Sequence, residues 1–275
     1  MKLFRWRGRS EPDMTGALLA PIAALYTAGR FAEAEAEARS VAAGPFRPRD
    51  EGYGPLALRI AALAAEAQGH HDRAAAAYGE LLPVFGRTFG AEHPHSLHLR
   101  SNRARVLSIL GRHGECVAEC VDVAQLANRS TGPDMLYVAA AARSEQVYAL
   151  TELGRHTEAE ALARQALAGY REPDRLRLVL RLSLAHSLSG QGRYVEALAE
   201  VERADVLRRS LSREDPHVAI GSVELVAAAA LLGLGRGAEA QLRAVAAYDA
   251  CMTALGPDHF RTGKARELLD RIDGD

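Results

Sequence analysis

Apolar and small residues fall at helical spacing on both sides of a glycine, and the chain repeats this arrangement six times. The glycines are Gly29, Gly69, Gly111, Gly154, Gly192 and Gly235, separated by 38 to 43 residues. Four positions before them stand Leu25, Ala65, Leu107, Leu150, Leu188 and Leu231; seven before, four units carry Ala62, Ala104, Ala185 and Ala228. Five positions after come Ala34, Ala74, Cys116, Ala159, Ala197 and Ala240, all small. Spacing of three and four on each side marks a helix with one buried face. Glycine between them supplies the left-handed residue that ends the first helix. Each period is thus predicted to be two antiparallel helices joined by a tight turn, with a small residue where they cross. Units of this length cannot bury their apolar face alone and stack into a solenoid.

The polar positions refine the picture. Four residues after the glycine, five units carry glutamate: Glu33, Glu115, Glu158, Glu196 and Glu239. The second turn departs, reading Gly69-His70-His71-Asp72-Arg73. Between hairpins lie connectors such as "FGAEHPHSL" from Phe89, "STGPDMLYV" from Ser130, "LSREDPHVA" from Leu211 and "LGPDHFRTG" from Leu255. Proline beside an acidic residue stops one helix and opens the next. The shorter connector "REPDR" around Glu172 accounts for the 38-residue interval. Pro21 is predicted to kink or delay the first helix. The tail "RTGKARELLDRIDGD" places Leu268, Leu269 and Ile272 at helical spacing among charges and reads as a capping helix.

The chain has 275 residues, 34 basic and 35 acidic, for a formal charge of −1. That balance excludes a basic or acidic surface covering the whole molecule. Only Lys2 and Lys264 are lysines, a bias that suits a GC-rich bacterial genome. Cys116, Cys120 and Cys251 are too few for a disulfide framework and fit a reducing cytosol. The segment "MKLFRWRGRS" is basic but lacks the apolar run of a secretory signal. Leu225–Leu234 is about half of the ~20 residues a membrane span needs. A cytoplasmic protein is expected.

The Gly-Arg-aromatic or Gly-Arg-His turns followed by Glu-Ala, and the connector from Gly90 to Pro94, resemble those of tetratricopeptide-repeat (TPR) proteins. The likeness is to the long-unit kind of kinesin light chains and many actinobacterial proteins, and it spans residues 14–259. It implies an all-α, right-handed α-solenoid of about six hairpins plus a C-terminal capping helix. The expected organisation is a basic arm at 1–13, repeats at 14–259, and a cap and tail at 260–275. It also implies a concave partner-binding face lined by first-helix residues: Arg59; His98, Ser101, Asn102 and Arg105; Ser144, Glu145 and Tyr148; Ser183 and His186. Asn102 sits where long-unit relatives place an asparagine that clamps the backbone of an extended peptide. An amide both donates and accepts, as such a contact requires. Arg59 and Arg105 add a carboxylate or phosphate contact. Other units carry Glu145 and Ser183 in place of that asparagine, which argues against a repeated clamp. The last-unit counterparts Ser222, Leu225, Val226 and Ala229 are mostly apolar, suiting a hydrophobic side chain or another subunit. The alternative reading of the polar positions is ordinary solvated surface.

Candidates for chemistry weigh little. "HPHSLH" offers His95 and His98 at ligand spacing, yet lacks a completing carboxylate or thiol and fits the connector pattern. Cys116 and Cys120 occupy slots that are small elsewhere, so packing explains them. Gly256–Lys264 is not a phosphate loop: the spacing is wrong, Ala265 replaces the hydroxyl residue, and no strand precedes it. There is no H-E-x-x-H, no G-x-S-x-G and no dinucleotide fingerprint. The expectation is a non-catalytic scaffold or adaptor for a protein or extended peptide, with no metal, cofactor or small-molecule substrate. One alternative is a peptide-responsive regulator acting through a partner. The other is a nucleic-acid- or membrane-associated factor using Lys2, Arg5, Trp6, Arg7 and Arg9 of the arm.

Overall fold

The computed structural model describes residues 18–45, 52–129, 132–211, 219–257 and 259–274. The basic arm lies outside them. Every regular element among the described residues is an α-helix: α1 (Ala20–Thr27), α2 (Phe31–Ala42), α3 (Tyr53–Ala67), α4 (His71–Thr88), α5 (Pro94–Ile109), α6 (His113–Ala127), α7 (Pro133–Glu152), α8 (His156–Gly169), α9 (Arg175–Gly190), α10 (Tyr194–Leu211), α11 (Ser222–Gly233), α12 (Gly237–Leu255) and α13 (Phe260–Gly274). Pro21 falls in the first turn of α1, where its missing N–H costs nothing, so it starts that helix instead of breaking it.

The chain forms two compact units, Met1–Ala142 and Arg143–Asp275, divided within α7. In the first, α1 to α6 each pack on the next helix in the chain; in the second, α8 to α13 do the same, and α11 also meets α9 and α13.

One turn recurs six times. The glycines have φ between 74° and 82°, the left-handed region where a side chain is strained. The N–H after each glycine donates to the carbonyl of the leucine or alanine four before the glycine, as in Arg30 to Leu25 (3.0 Å) and Arg155 to Leu150 (2.9 Å). The glycine N–H donates three residues back, as in Gly154 to Thr151 (3.0 Å). Together these satisfy carbonyls that a helix end otherwise leaves open. The small residues five positions after the glycines are all fully buried, at 0% exposure.

The recurring Gly-Arg and Glu have a joint task. Each arginine precedes its second helix and grips the glutamate three residues on through both nitrogens: Arg112 to Glu115 at 2.6 and 2.7 Å, Arg155 to Glu158 at 2.8 and 2.7 Å, Arg236 to Glu239 at 2.7 and 2.6 Å. Arg30–Glu33 and Arg193–Glu196 form the same pair. The glutamate sits in the first helical turn, where backbone N–H groups favour an anion. Bonding to arginine holds these carboxyls below their ordinary range. In the odd second turn, Arg73 takes the glutamate's place, meets His70 Nδ1 at 2.8 Å, and reaches Glu35 of α2 at 2.9 Å. The departure thereby ties the first hairpin to the second.

Two connectors also repeat. His93 Nδ1 accepts from His95 N (3.1 Å) while Ser96 Oγ donates to Gly90 O (2.7 Å). His259 Nδ1 accepts from Arg261 N (3.1 Å) while Thr262 Oγ1 donates to Gly256 O (2.8 Å). Gly-x-x-His-x-x-Ser/Thr is thus a helix-opening device. It gives His93 a structural role and turns Gly256–Lys264 into the start of α13.

Candidate partner-binding face

First helices α3, α5 and α7 carry the polar positions of the first unit. Alanine and leucine surround Arg59 on α3, so its guanidinium is driven into the packing and is only 3% exposed. Its Nη1 lies 3.4 Å from His98 Nδ1 on α5, and its Nε has no hydrogen-bond partner. Among the described residues no carboxylate pairs with it. The His98 ring meets Tyr137 of α7 edge-on, with centroids 5.6 Å apart. One turn further along α5, Asn102 is 4% exposed and its Nδ2 has no partner. Ser101 spends its hydroxyl on Leu97 O at 3.2 Å. Arg105 grips Glu66 at 2.8 and 2.7 Å, and Glu66 also accepts from Tyr78. Arg59 and His98 are therefore brought together, whereas Arg105 is engaged at Glu66.

Arg59, His98, Ser101, Asn102 and, in the second unit, Ser183 are all buried, so the solvated-surface alternative does not describe them. The reason is that a first helix packs between its own second helix and the preceding one. The electrostatics follow. Burial, then Arg59 and Arg105, push His98 well below its ordinary value, and burial lowers His95 to about 3. Both imidazoles are neutral at physiological pH. Burial also pulls the Arg59 guanidinium down.

In the second unit the expected residues sit on the C-terminal half of α7 and on α9. Tyr148 is half-buried under Lys264 of α13, whose Nζ lies 5.5 Å from the ring centroid. The same ammonium meets Glu152 Oε2 at 2.9 Å. Burial lowers His186, against the raising influence of Glu152. Glu145 stands one turn before Tyr148, partly exposed, and Ser144 is buried with no partner for its hydroxyl. Leu225 and Ala229 pack with Ala228, Ala244 and Leu268, beside Leu269 and Ile272 of α13. Part of the apolar patch of the last unit, Leu225 and Ala229, thus packs against the chain's own C-terminal helix, while Ser222 and Val226 lie outside that cluster and are partly exposed.

Sequence reasoning missed Glu66, Tyr137, Glu152 and Lys264. A signal existed for Lys264, one of two lysines among 34 basic residues. It also missed a staple between hairpins. Glu35 accepts from Gln68 (2.9 Å) and pairs with Arg39 and Arg73; Glu160 accepts from Gln191 (2.9 Å) and pairs with Arg164 and Arg193. The pattern is glutamate six after one turn glycine and glutamine just before the next.

Cys116 and Cys120 are both fully buried with sulfurs 3.9 Å apart, as their small-residue slots demand. Among the described residues, no three His, Cys, Asp or Glu side chains gather as metal ligands, and no helix is long and apolar enough to cross a membrane.

The tetratricopeptide-repeat family profile matches residues 178–203, the hairpin of α9 and α10. A *Podosopora anserina* putative kinesin light chain with nearly identical TPR-like repeats superposes with TM-score 0.52 at 21% identity, over 74% of this chain and all of that one. The fold is that of a TPR solenoid. Two further TPR-like likenesses extend over more of the chain. A Rap protein complexed with Competence and Sporulation Factor gives TM-score 0.62 at 13% identity, covering 92% of this chain and 73% of that one. *Bacillus thuringiensis* PlcR, in complex with the peptide PapR7 and DNA, gives 0.59 at 15% identity, covering 93% and 98%. No curated protein matches the chain in sequence.

Proposed function

We propose that the chain is a non-catalytic scaffold or adaptor that binds a protein or extended peptide segment along its first-helix face, in the bacterial cytoplasm. The observation that carries this reading is the pair Arg59 and Asn102: two buried polar side chains on adjacent first helices, each with a donor that nothing among the described residues satisfies. Leaving such donors buried is costly, and a fold tolerates the cost where a ligand meets them. A peptide backbone or carboxylate supplies the acceptors. His98 and Tyr137 flank them, and Glu145, Tyr148, Ser183 and His186 form the corresponding set in the second unit.

The test selects peptides from a random library on the wild-type chain and measures them against an Arg59→Met, Asn102→Leu variant of unchanged helical content. Loss of about 10-fold or more in affinity is expected. Equal binding by both proteins overturns the assignment of these residues.

A second reading, a peptide-responsive regulator, is favoured by the fold shared with a Rap protein complexed with Competence and Sporulation Factor and with PlcR in complex with the peptide PapR7 and DNA. It requires that a selected peptide change the radius of gyration of the full chain; an unchanged radius speaks for the plain adaptor.

A further inference from the structure

A helix that only caps a solenoid need touch no more than the last hairpin. α13 does more. Lys264, Leu268 and Ile272 recur at a spacing of four and so share one face of the helix. Leu268 is buried with Ala228 of α11 and Ala244 of α12, and Leu225, Ala229 and Leu232 close around it. From the same face Lys264 reaches past the last hairpin to α7, pairing with a glutamate 112 residues earlier in the chain. Its ammonium sits between the Glu152 carboxylate and the Tyr148 ring, a pocket of one anion and one π face that suits a compact cation. His186 is the fourth titratable group at this place, feeling both Glu152 and Lys264. Burial alone would weaken the charge on Lys264, but Tyr148 and Glu152 hold its pKa above the ordinary value.

We propose that α13 is a self-ligand of the second unit. It stacks on α12 and α11 and sends Lys264 across to α7, so a partner reaches Tyr148 and Glu152 only by displacing that side chain. The partner chemistry follows from the occupant: an amphipathic helix presenting a primary ammonium with leucine or isoleucine at four-residue steps beyond it. Three residues of α13 are buried, Thr262, Ala265 and Leu268, while two of its ties to α12 face solvent: Gln241 to Asp273 at 3.1 Å and Arg266 above the Tyr248 ring at 5.8 Å. This inference rests on the reading above only in taking first helices as the binding row.

The experiment uses full-length chains and one probe, a fluorescein-labelled peptide of residues 259–274. Wild type, Lys264→Glu, and the charge swap Glu152→Lys/Lys264→Glu are compared by peptide titration and by amide hydrogen exchange. In Lys264→Glu two carboxylates face each other. The α13 amides are expected to exchange about 10-fold faster than in wild type with α9 and α10 unchanged, and the peptide to bind about 10-fold more tightly. The swap is expected to restore slow exchange in α13. Equal peptide affinity for wild type and Lys264→Glu, or unchanged exchange in α13, overturns the proposal. If α9 and α10 also exchange faster in the single variant, the swap decides: wild-type protection of α13 upholds the proposal and persistent lability refutes it. No external partner enters the assay, so its failure leaves the first-unit reading standing, and the reverse holds too.

Discussion

The two units use the same hairpin and treat their first helices differently. In the first, Arg59 and Asn102 are buried with donors that nothing among the described residues satisfies. In the second, the corresponding row meets α13, and Lys264 caps Tyr148 and Glu152. Repetition of the helical frame therefore does not repeat the surface. The frame is set by small residues and glycines, which every unit keeps. The surface is set by single polar side chains, which each unit varies. On the proposed reading, an unfilled row keeps a cost in the folded state that a ligand removes, and a filled row makes a ligand compete.

The largest expected effect probes what the units share. Ala159→Arg forces a charged side chain into a crossing point with no exposed surface. It is expected to cost about 3 kcal/mol or more from overpacking and charge burial together, read as a drop in the urea midpoint. Retention of the wild-type midpoint would disprove the packing assignment.

Acid separates the units next. His95 titrates at about 3 in the fold against 6.5 for an ordinary histidine. Between those values the unfolded chain takes up a proton that the folded one refuses, so stability falls as pH drops below 6.5. The loss is up to about 1.4 kcal/mol per pH unit for each such histidine, and His98 shifts in the same direction. The lowered glutamates act in the same direction, but only as pH falls toward 4.5 and below. Among the described residues the second unit holds one such lowered histidine, His186, against His71, His95 and His98 in the first. Hydrogen exchange at pH 7 and at pH 5 should therefore show the first unit loosening more than α10 and α12.

Arg59→Met sharpens the contrast from the other side. Removing a buried cation that no described carboxylate neutralises, while keeping the stem, should stabilise the first unit by about 1–2 kcal/mol, seen as a raised Tm. A fall in Tm would mean that the guanidinium supports the fold. The smallest effect should show no contrast at all. Gly111→Ala and Gly235→Ala place a side chain at φ 78° and 74° with no atom within 4 Å of the new Cβ. Each should cost about 1 kcal/mol, and clearly unequal losses would mean that the turns are not equivalent.

The period, the turns and the buried small residues were legible in the sequence because they depend on neighbours three to five positions away. Six glycines, six small residues and the leucines before them carry their own geometry. The role of the Gly-Arg and Glu pair was not legible, although both residues stood in the repeat, because a side-chain bond is not a spacing. The candidate face was legible as a row of positions and not as an environment. Asn102 and Ser101 are adjacent, yet one lacks a partner and the other is satisfied by its own helix.

By itself the sequence determined an all-α repeat of hairpins, the site of each turn, and the absence of any familiar catalytic motif. Tertiary structure alone decided that Arg59 is buried without an acid, that Glu35 and Glu160 staple successive hairpins, and that α13 answers α7. It also decided that Gly190 and Gly233 must lack side chains: a Cβ there would lie 2.3 and 2.2 Å from the rings of His156 and Tyr194. The physical reason is range. Helical period and turn conformation are local, so they can be read along the chain. Burial, charge pairing and the fit of one ring against one glycine depend on residues some 30 to over 100 positions apart, as Gly190 to His156 and Lys264 to Glu152 show, and only folding brings them together.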